Sequence, residues 1–213
     1  MGLLETRVLT DHVYDAIRSM IEDGVLTPGE KINKKHLEEQ LGVSQTPIND
    51  ALIRLEGQRI LEQKNRRGFF VKEFSCRELV DLFAARAAVE GMATRLAVEN
   101  VTESEIAELA QFFSDATFPL SEEAYHAYER TDRDFHTRLI EYSRNELIQE
   151  MNERFGYIVR AATKGLVRPP EETIHEHRAI IAAIHDRDAK RAGELMTDHL
   201  MRSRAKLLQS CDE

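Results

Sequence analysis

Two short amphipathic helices separated by only three residues constrain the fold of this chain more than any other feature. Leu37 and Leu41 share one face of the first helix, and Gly42 ends it where a left-handed residue is needed. Ser44 can cap the second helix, and Pro47 lies in its first turn, where the missing N–H costs nothing. Helices joined by so tight a turn predict a helix-turn-helix.

The segments on either side of this pair complete the pattern of a small domain. Residues 8–23 place apolar side chains at three- and four-residue spacing, which predicts an amphipathic helix. Residues 60–64 and 69–73 have the composition of short strands, and the Asn-Arg-Arg-Gly stretch at 65–68 turns between them. This hairpin adds a wing, so we expect a winged helix-turn-helix.

The second helix and the hairpin carry residue types that DNA-binding proteins use. Polar side chains near the N-terminus of a recognition helix contact base edges, and arginines at a wing tip suit a phosphate backbone or a minor groove. The alternative is a small helical domain whose turn and hairpin are only structural. The candidate DNA-binding residues are Lys34, Lys35, Ser44, Gln45, Thr46, Asn49, Arg54, Arg66, Arg67 and Gly68.

The net charge of −9 is unusual for a protein that binds DNA. The acidity is concentrated in the second part of the chain. Residues 1–73 hold 11 basic and 12 acidic side chains, whereas residues 74–213 hold 18 and 26. Any affinity for DNA must therefore come from local clustering of positive charge and not from the total.

From Arg77 onward, apolar stripes at helical spacing predict about six helices with short links. No stretch alternates in the manner of a strand, so an all-α bundle is expected. The chain as a whole is predicted to be mainly α. We place a winged helix-turn-helix DNA-binding domain at residues 1–75 and a helical domain at residues 76–213.

Four residues of the helical part have the chemistry of a metal site. Asp132 and His136 are four residues apart and project from one helix face, while His177 and His199 lie on later helices. One carboxylate and three imidazoles can converge inside a bundle and hold a divalent cation. The alternative is that these histidines are surface residues or satisfied core residues.

Cysteine content and hydropathy bear on the compartment. Cys76 and Cys211 are the two cysteines and are far apart in sequence, so no disulfide framework is expected and a reducing cytoplasm is the natural location. No apolar run approaches the roughly 20 residues that span a bilayer, and no signal peptide opens the chain.

The first part of the chain resembles the GntR family of winged-helix regulators from about Val13 to Val71. The resemblance implies a homodimer that binds a palindromic double-stranded operator, with half-sites about one helical turn apart. The family usually carries arginine where this chain has Gln45 and Asn49, and these two side chains suit adenine edges. We therefore expect a different operator or weaker binding. The matching runs are Leu37–Pro47, Ala51-Leu52, Arg54-Leu55-Glu56 and Arg67–Val71.

The second part, over about residues 78–207, is similar to the FCD effector domain of the FadR branch, and its helix count resembles the VanR-like subgroup. The similarity lies in Asp132–His136, Glu176–Ile180 and Asp198–Leu200. It implies that residues 76–213 are an effector-binding and dimerisation domain. It also implies that Asp132, His136, His177 and His199 bind zinc, nickel or manganese.

The FCD resemblance also implies a small organic acid as effector. Residues 82–90 are similar to the first helix of that domain, and Arg86 would grip a carboxylate in the cavity. The alternative is a simple helical pair between Arg86 and Glu90. Tyr157 and Arg160 are further effector-binding candidates. Two rival functions use the same Asp/His set, namely a metal-dependent enzyme that activates water and a metal-sensing regulator, although no general base for an enzyme is evident.

Overall fold

The structure of the chain is a computed structural model. It describes residues 3–64, 67–114, 118–162 and 165–211. The chain divides into two compact units, one formed by residues 1–74 with 157–162 and the other by residues 75–156 with 163–213.

The first unit contains the expected helix-turn-helix and wing. Its elements are α1 (Leu3–Glu22), α2 (Lys34–Leu41), α3 (Gln45–Gly57), β1 (Leu61–Gln63) and β2 (Phe69–Val71). The two strands are antiparallel, with Leu61 opposite Val71 and Gln63 opposite Phe69. Helix α1 begins five residues before the predicted start, since the apolar pattern marks the buried face and not the first helical residue.

Local chemistry explains the tight turn between α2 and α3. Gly42 has a φ of 65° and donates its N–H to the carbonyl of Glu38, as the sequence predicted. Ser44 has the extended backbone of an N-cap, but its side chain makes no capping hydrogen bond. Burial of Ile48 and Leu52 against the core of this unit therefore holds α3, and the cap does not.

The second unit is helical throughout its described residues, which confirms the predicted all-α class. Its elements are α4 (Cys76–Asn100), α5 (Glu103–Gln111), α6 (Glu122–Tyr142), α7 (Glu146–Ala162, whose residues 157–162 group with the first unit), α8 (Pro170–His185) and α9 (Ala189–Ser210). Capping boxes set two of the starts. Ser75 exchanges hydrogen bonds with Glu78 at α4, and Thr102 does the same with Glu105 at α5.

Helices α4 and α9 run antiparallel and approach closely where two glycines meet. A Cβ atom on Gly193 would lie 2.8 Å from the carbonyl oxygen of Gly91, and one on Gly91 would lie 2.1 Å from Oγ1 of Thr197. Side chains larger than hydrogen do not fit at either position without movement. This contact fixes the distance between the two helices that frame the site described below.

The structure contains a disulfide, which the number and spacing of the cysteines did not predict. Cys76 at the start of α4 and Cys211 after the end of α9 form a disulfide, with their Cα atoms 5.6 Å apart. The antiparallel packing of α4 on α9 brings these distant residues together, and sequence separation gave no sign of it. Separately, no helix among the described residues is long and apolar enough to cross a membrane.

Candidate metal centre and nucleic-acid interface

Three buried histidines from three helices converge in the second unit. His136 on α6, His177 on α8 and His199 on α9 each offer a ring nitrogen, and these nitrogens lie within 4.8 Å of one another. The three side chains are almost completely excluded from solvent. The structure thus brings together three of the four residues that the sequence proposed as ligands.

Carboxylates hold two of these imidazoles by their Nδ1 atoms. Nδ1 of His136 lies 2.5 Å from Oε2 of Glu90, and Nδ1 of His199 lies 2.7 Å from Oε2 of Glu176. A carboxylate only accepts hydrogen bonds, so each of the two rings carries a proton on Nδ1 and leaves Nε2 as the nitrogen that can bind an ion. Metal-binding histidines typically make such a contact through the nitrogen that does not bind the ion.

The third imidazole is oriented by a chain of hydroxyl groups. Nδ1 of His177 lies 3.1 Å from the Tyr128 hydroxyl, which lies 2.8 Å from Oγ1 of Thr173. Thr173 donates to the carbonyl of Pro170. Because the chain ends on an acceptor, each hydroxyl donates away from His177, and Nδ1 of His177 is the donor to Tyr128. Nε2 of His177 is buried and has no hydrogen-bond partner.

Asp132, the fourth predicted ligand, lies beside the cluster without belonging to the group of three. Its Oδ1 is 3.4 Å from Nε2 of His177, and its side chain is 18% exposed. It precedes His136 by one turn of α6, so both project toward the same side of that helix. A carboxylate is therefore available at the margin of the three imidazoles.

The protonation of the cluster suits a cation. Burial lowers the pKa of His177 well below its usual range, and the neighbouring His199 and His136 add to this effect. Burial also lowers the pKa of His199, although its hydrogen bond to Glu176 opposes the change. Both rings are neutral at pH 7, which is the form that binds metal ions. Neutral imidazole nitrogens with a carboxylate suit zinc, nickel or manganese.

Glu90 is a buried carboxylate that the sequence did not mark as part of the site. Its side chain is 2% exposed, and Nε of Arg86 lies 2.7 Å from its Oε1. Burial acts to raise the pKa of Glu90, but Arg86 and His136 lower it to about 2. The structure therefore shows the Arg86–Glu90 pair that was one of two predictions for Arg86, and a contact of Arg86 with an effector stays a prediction.

Arg168 is a second buried charge that sequence reasoning missed. Its guanidinium makes two bonds to the Glu176 carboxylate, of 3.0 and 2.5 Å, and also donates to the carbonyl of His199. Burial opposes the ionisation of Glu176, yet hydrogen bonds from His199 and Arg168 hold its pKa well below its usual range. Arg168 lies in the link before α8, and no helical spacing connects it to Glu176.

The predicted recognition residues lie on the exposed N-terminal end of α3, where two of them contact α2. Nε2 of Gln45 donates to Oε2 of Glu38 at 3.2 Å, and Oδ1 of Asn49 accepts from Nζ of Lys34 at 2.6 Å. Ser44 and Thr46 are exposed. The side chains that depart from the usual arginines are thus held in polar contacts that a DNA base would have to replace.

The basic candidates are spread over α2, α3 and the wing. Lys34 and Lys35 line a groove of about 560 Å³ together with Lys31 and Gly68. Arg54 is already paired, because its Nη1 lies 2.7 Å from Oδ1 of Asp11. Arg67 is exposed. The remaining predicted residues, Arg66 of the wing and the side chains of Tyr157 and Arg160, lie outside the described part of the chain.

Two domain families match this chain. Residues 81–202 match the FCD domain, and residues 9–71 match the family described as bacterial regulatory proteins, gntR family. The chain belongs to the GntR family and carries an FCD domain. The resemblance inferred from the sequence motifs is confirmed.

Relatives of this GntR/FCD protein are transcription regulators. The Nta operon transcriptional regulator of Aminobacter aminovorans is 35% identical over 134 residues, covering 61% of this chain and 63% of that protein. The regulator McbR of Escherichia coli K12 is 29% identical over 218 residues, covering 98% of this chain and 96% of McbR. The GntR/FCD protein is accordingly a transcription regulator that binds DNA, and not an enzyme.

Solved structures support the same fold. The structure of E. coli McbR/YncC has a TM-score of 0.74 and 25% identity, covering 95% of this chain and 98% of that one. A putative GntR regulator from Rhodococcus sp. RHA1 has a TM-score of 0.75 at 20% identity, covering 94% and 98%. Both solved structures therefore share the fold of this chain over almost its whole length.

Proposed function

We propose that this regulator is ligand-responsive and that a metal ion in its FCD domain forms part of the effector site. A homodimer binds a palindromic operator through residues 1–75, and residues 76–213 bind a small carboxylate that modulates the affinity for DNA. The observation that carries the proposal is the buried Nε2 of His177, which has no hydrogen-bond partner and lies among two further imidazoles.

The metal assignment rests on the donor set. An unsatisfied buried polar atom costs about 1–3 kcal/mol, so its persistence requires a compensating partner. A cation on the three Nε2 atoms and the Asp132 carboxylate supplies that partner, and Glu90 and Glu176 fix the tautomers that such coordination needs. Zinc, nickel and manganese all fit this ligand set.

The effector assignment rests on what this ligand set leaves open. Three imidazoles and one carboxylate leave coordination positions free on a metal that accepts five or six ligands. A carboxylate group is a suitable occupant because it is anionic and binds through oxygen. The effector regulates only if it binds the DNA-competent and DNA-incompetent states with different free energy, and about 1–3 kcal/mol of coupling suffices.

The DNA contacts follow from the exposed end of α3 and the lysines of α2. We propose that Gln45, Thr46 and Asn49 face base edges, and that Lys34, Lys35 and Arg67 contact phosphates. Ser44 and Gly68 offer backbone N–H groups to the phosphates. Arg54 contacts DNA after leaving Asp11, and Arg66 is a further candidate for a phosphate contact. For Asn49, binding requires release of its contact with Lys34.

Binding to an operator places the protein in the cytoplasm, where the bacterial chromosome lies. The disulfide between Cys76 and Cys211 then meets a reducing environment, in which structural disulfides are rare. We propose that the cytoplasmic protein works with these cysteines reduced for at least part of its lifetime. The fold of the helical unit does not depend on the bond alone, because α4 also packs along α9 at Gly91 and Gly193.

Elemental analysis of the purified full chain tests the metal site. We expect about one divalent ion per chain in the wild type, loss of the ion in His177→Gln, and retention in the control His185→Gln, whose side chain is 74% exposed. An operator fragment is then obtained by selection from random DNA. The affinity of the protein for this fragment is measured in the presence of carboxylic acids, with and without a chelator. An acid that changes DNA affinity only in the metal-loaded protein supports the proposal.

Two other results would change the conclusion. DNA affinity that responds to the ion and to no acid would make the chain a metal sensor, a function that uses the same histidines. A wild-type chain that binds no ion, with the same melting temperature in His177→Gln, would contradict the metal site.

A further inference from the structure

Helix α4 exposes one continuous stripe along the side that faces away from the core of its unit. Between positions 81 and 99 the exposed residues follow one another at intervals of four and three, which is the spacing of a coiled-coil seam. This spacing keeps a stripe straight when two helices cross at about 20°. The residues are Asp81, Ala85, Ala88, Met92, Arg95 and Glu99, with Arg77 one turn earlier.

The middle of this stripe is apolar and borders a groove. Met92 is 49% exposed, and the neighbouring Ala85 and Ala88 of the stripe are exposed as well. The groove, of about 500 Å³, lies between α4 and α9, with Gly91 and Gly193 at its floor and charged side chains at its rim. Its lining residues are Ala88, Gly91, Met92 and Arg95 of α4 and Lys190, Gly193, Glu194, Thr197 and Asp198 of α9. It offers space for a side chain that does not belong to this copy of the helix.

The charges at the two ends of the stripe are symmetric about its centre. Asp81 and Arg95 each lie seven residues from Ala88, and Arg77 and Glu99 each lie eleven residues from it. Each position thus has a counterpart of opposite charge at the same distance. Within the part of the chain that the structure describes, none of these four side chains forms an ion pair.

This symmetry specifies an orientation for a second copy of the helix. In an antiparallel pair with its two-fold axis at Ala88, Asp81 faces Arg95 of the partner subunit and Arg77 faces Glu99 of the partner subunit. Four ion pairs then form across the axis. A parallel pair would instead place each charge opposite its own copy, which is repulsive. The pattern therefore favours an isologous antiparallel contact.

We infer that α4 forms the centre of the homodimer interface by packing antiparallel against α4 of a second copy of this chain. Ala88 lies on the two-fold axis, and its small side chain lets the helices approach to about 8–10 Å. Met92 enters the groove between α4 and α9 of the other copy, and the charges at both ends set the register. This inference rests on the homodimer in the proposed function and identifies the surface that forms it.

Charge reversal on the full-length protein tests the interface. Because the contact is isologous, Asp81→Arg and Arg95→Asp each create two repulsive pairs, whereas the double variant restores attraction with the signs exchanged. We expect the dissociation constant of the dimer, measured by analytical ultracentrifugation, to rise about tenfold or more in each single variant and to recover in the double variant. Arg130→Asp reverses an exposed arginine on α6 and should leave the dimer unchanged.

The outcomes separate this inference from the proposal on which it rests. A wild type that dimerises, with single variants indistinguishable from it, would show that another surface forms the dimer. A double variant that stays as weak as the single variants would also overturn the antiparallel register. A wild type that is monomeric at all concentrations would remove the homodimer itself. Circular dichroism of each variant confirms that its helices are intact.

Discussion

Nδ1 of His136 lies 2.5 Å from Oε2 of Glu90, so a carboxylate on α4 orients an imidazole on α6. The same carboxylate accepts a hydrogen bond from Arg86 through its other oxygen. Glu90 is therefore satisfied on both oxygens, which is how a charge that is 2% exposed persists in the core. The relationship links the first helix of the FCD domain to the candidate metal centre.

Replacing Glu90 by glutamine should weaken metal binding. The carboxylate charge of Glu90 fixes the Nδ1 proton of His136 and makes its Nε2 more basic. A neutral amide removes that charge. We expect metal affinity to fall about 10- to 100-fold, measured by competition with a chromogenic chelator. Glu108→Gln, at a half-exposed carboxylate on α5, is the matched control. Equal affinity in both variants would mean that Glu90 does not orient the ligand.

Acid should destabilise the metal-free protein through the same carboxylate. The pKa of Glu90 is about 2 in the folded protein against 4.5 for a free glutamate. Its stabilising contribution, about 3 kcal/mol, is therefore present above pH 4.5 and is lost as the pH falls toward 2. Urea unfolding between pH 6 and 2, with a chelator present, should show a steeper loss in the wild type than in Glu90→Gln. Parallel curves would contradict this assignment.

Reduction of the disulfide should lower the stability of the helical unit. The bond between Cys76 and Cys211 closes a loop with a sequence separation of 135, which corresponds to about 5 kcal/mol of unfolded-state entropy at most. We expect the wild type to melt at a lower temperature with dithiothreitol, and Cys76→Ser to melt at that lower temperature with or without it. A wild-type melting temperature that does not respond to the reductant would show that the bond does not form or does not stabilise the fold.

Exchange of Gln45 for arginine should change the operator. Gln45 is exposed at the start of α3, and arginine pairs with guanine where glutamine pairs with adenine. In a selection from random DNA, we expect Gln45→Arg to gain a preference for guanine at one base of each half-site, worth about 1–3 kcal/mol against adenine. Gln209→Arg adds the same charge near the end of α9 and should select the wild-type site. A site that does not change in Gln45→Arg would exclude Gln45 from base contact.

The two helical glycines allow a packing test of the contact between α4 and α9. A methyl group on Gly91 would lie 2.1 Å from Oγ1 of Thr197 and 3.2 Å from the carbonyl of Gly193, so Gly91→Ala should cost about 1–3 kcal/mol of unfolding free energy. Gly57→Ala in α3 meets no atom within 4 Å and should instead stabilise the protein by about 0.5–1 kcal/mol. Denaturant unfolding measures both. If Gly91→Ala and Gly57→Ala changed the unfolding free energy by the same amount in the same direction, the close approach of α4 and α9 at Gly91 would be contradicted.

Most of the helices and the wing were predictable because their signals are local. The turn at Gly42 and the spacing of apolar side chains depend on residues within one or two turns of each other. The same holds for Asp132 and His136, which helical spacing places on one side of α6. The start of α1 was placed too late, since the apolar spacing used for the prediction begins at Val8 and helix boundaries are the least determined part of such a pattern.

Local sequence patterns specify most of the helices and strands, the two domain families and three histidines of a type that binds metal ions. Tertiary structure decided which nitrogen of each ring is free, because the partners of His136 and His177 lie 46 and 49 residues away on other helices. Packing of α4 along α9 likewise brings Cys76 next to Cys211. The same packing decides which side of α4 stays exposed. Contacts of this kind depend on how whole helices pack, and no short-range pattern of residues encodes them.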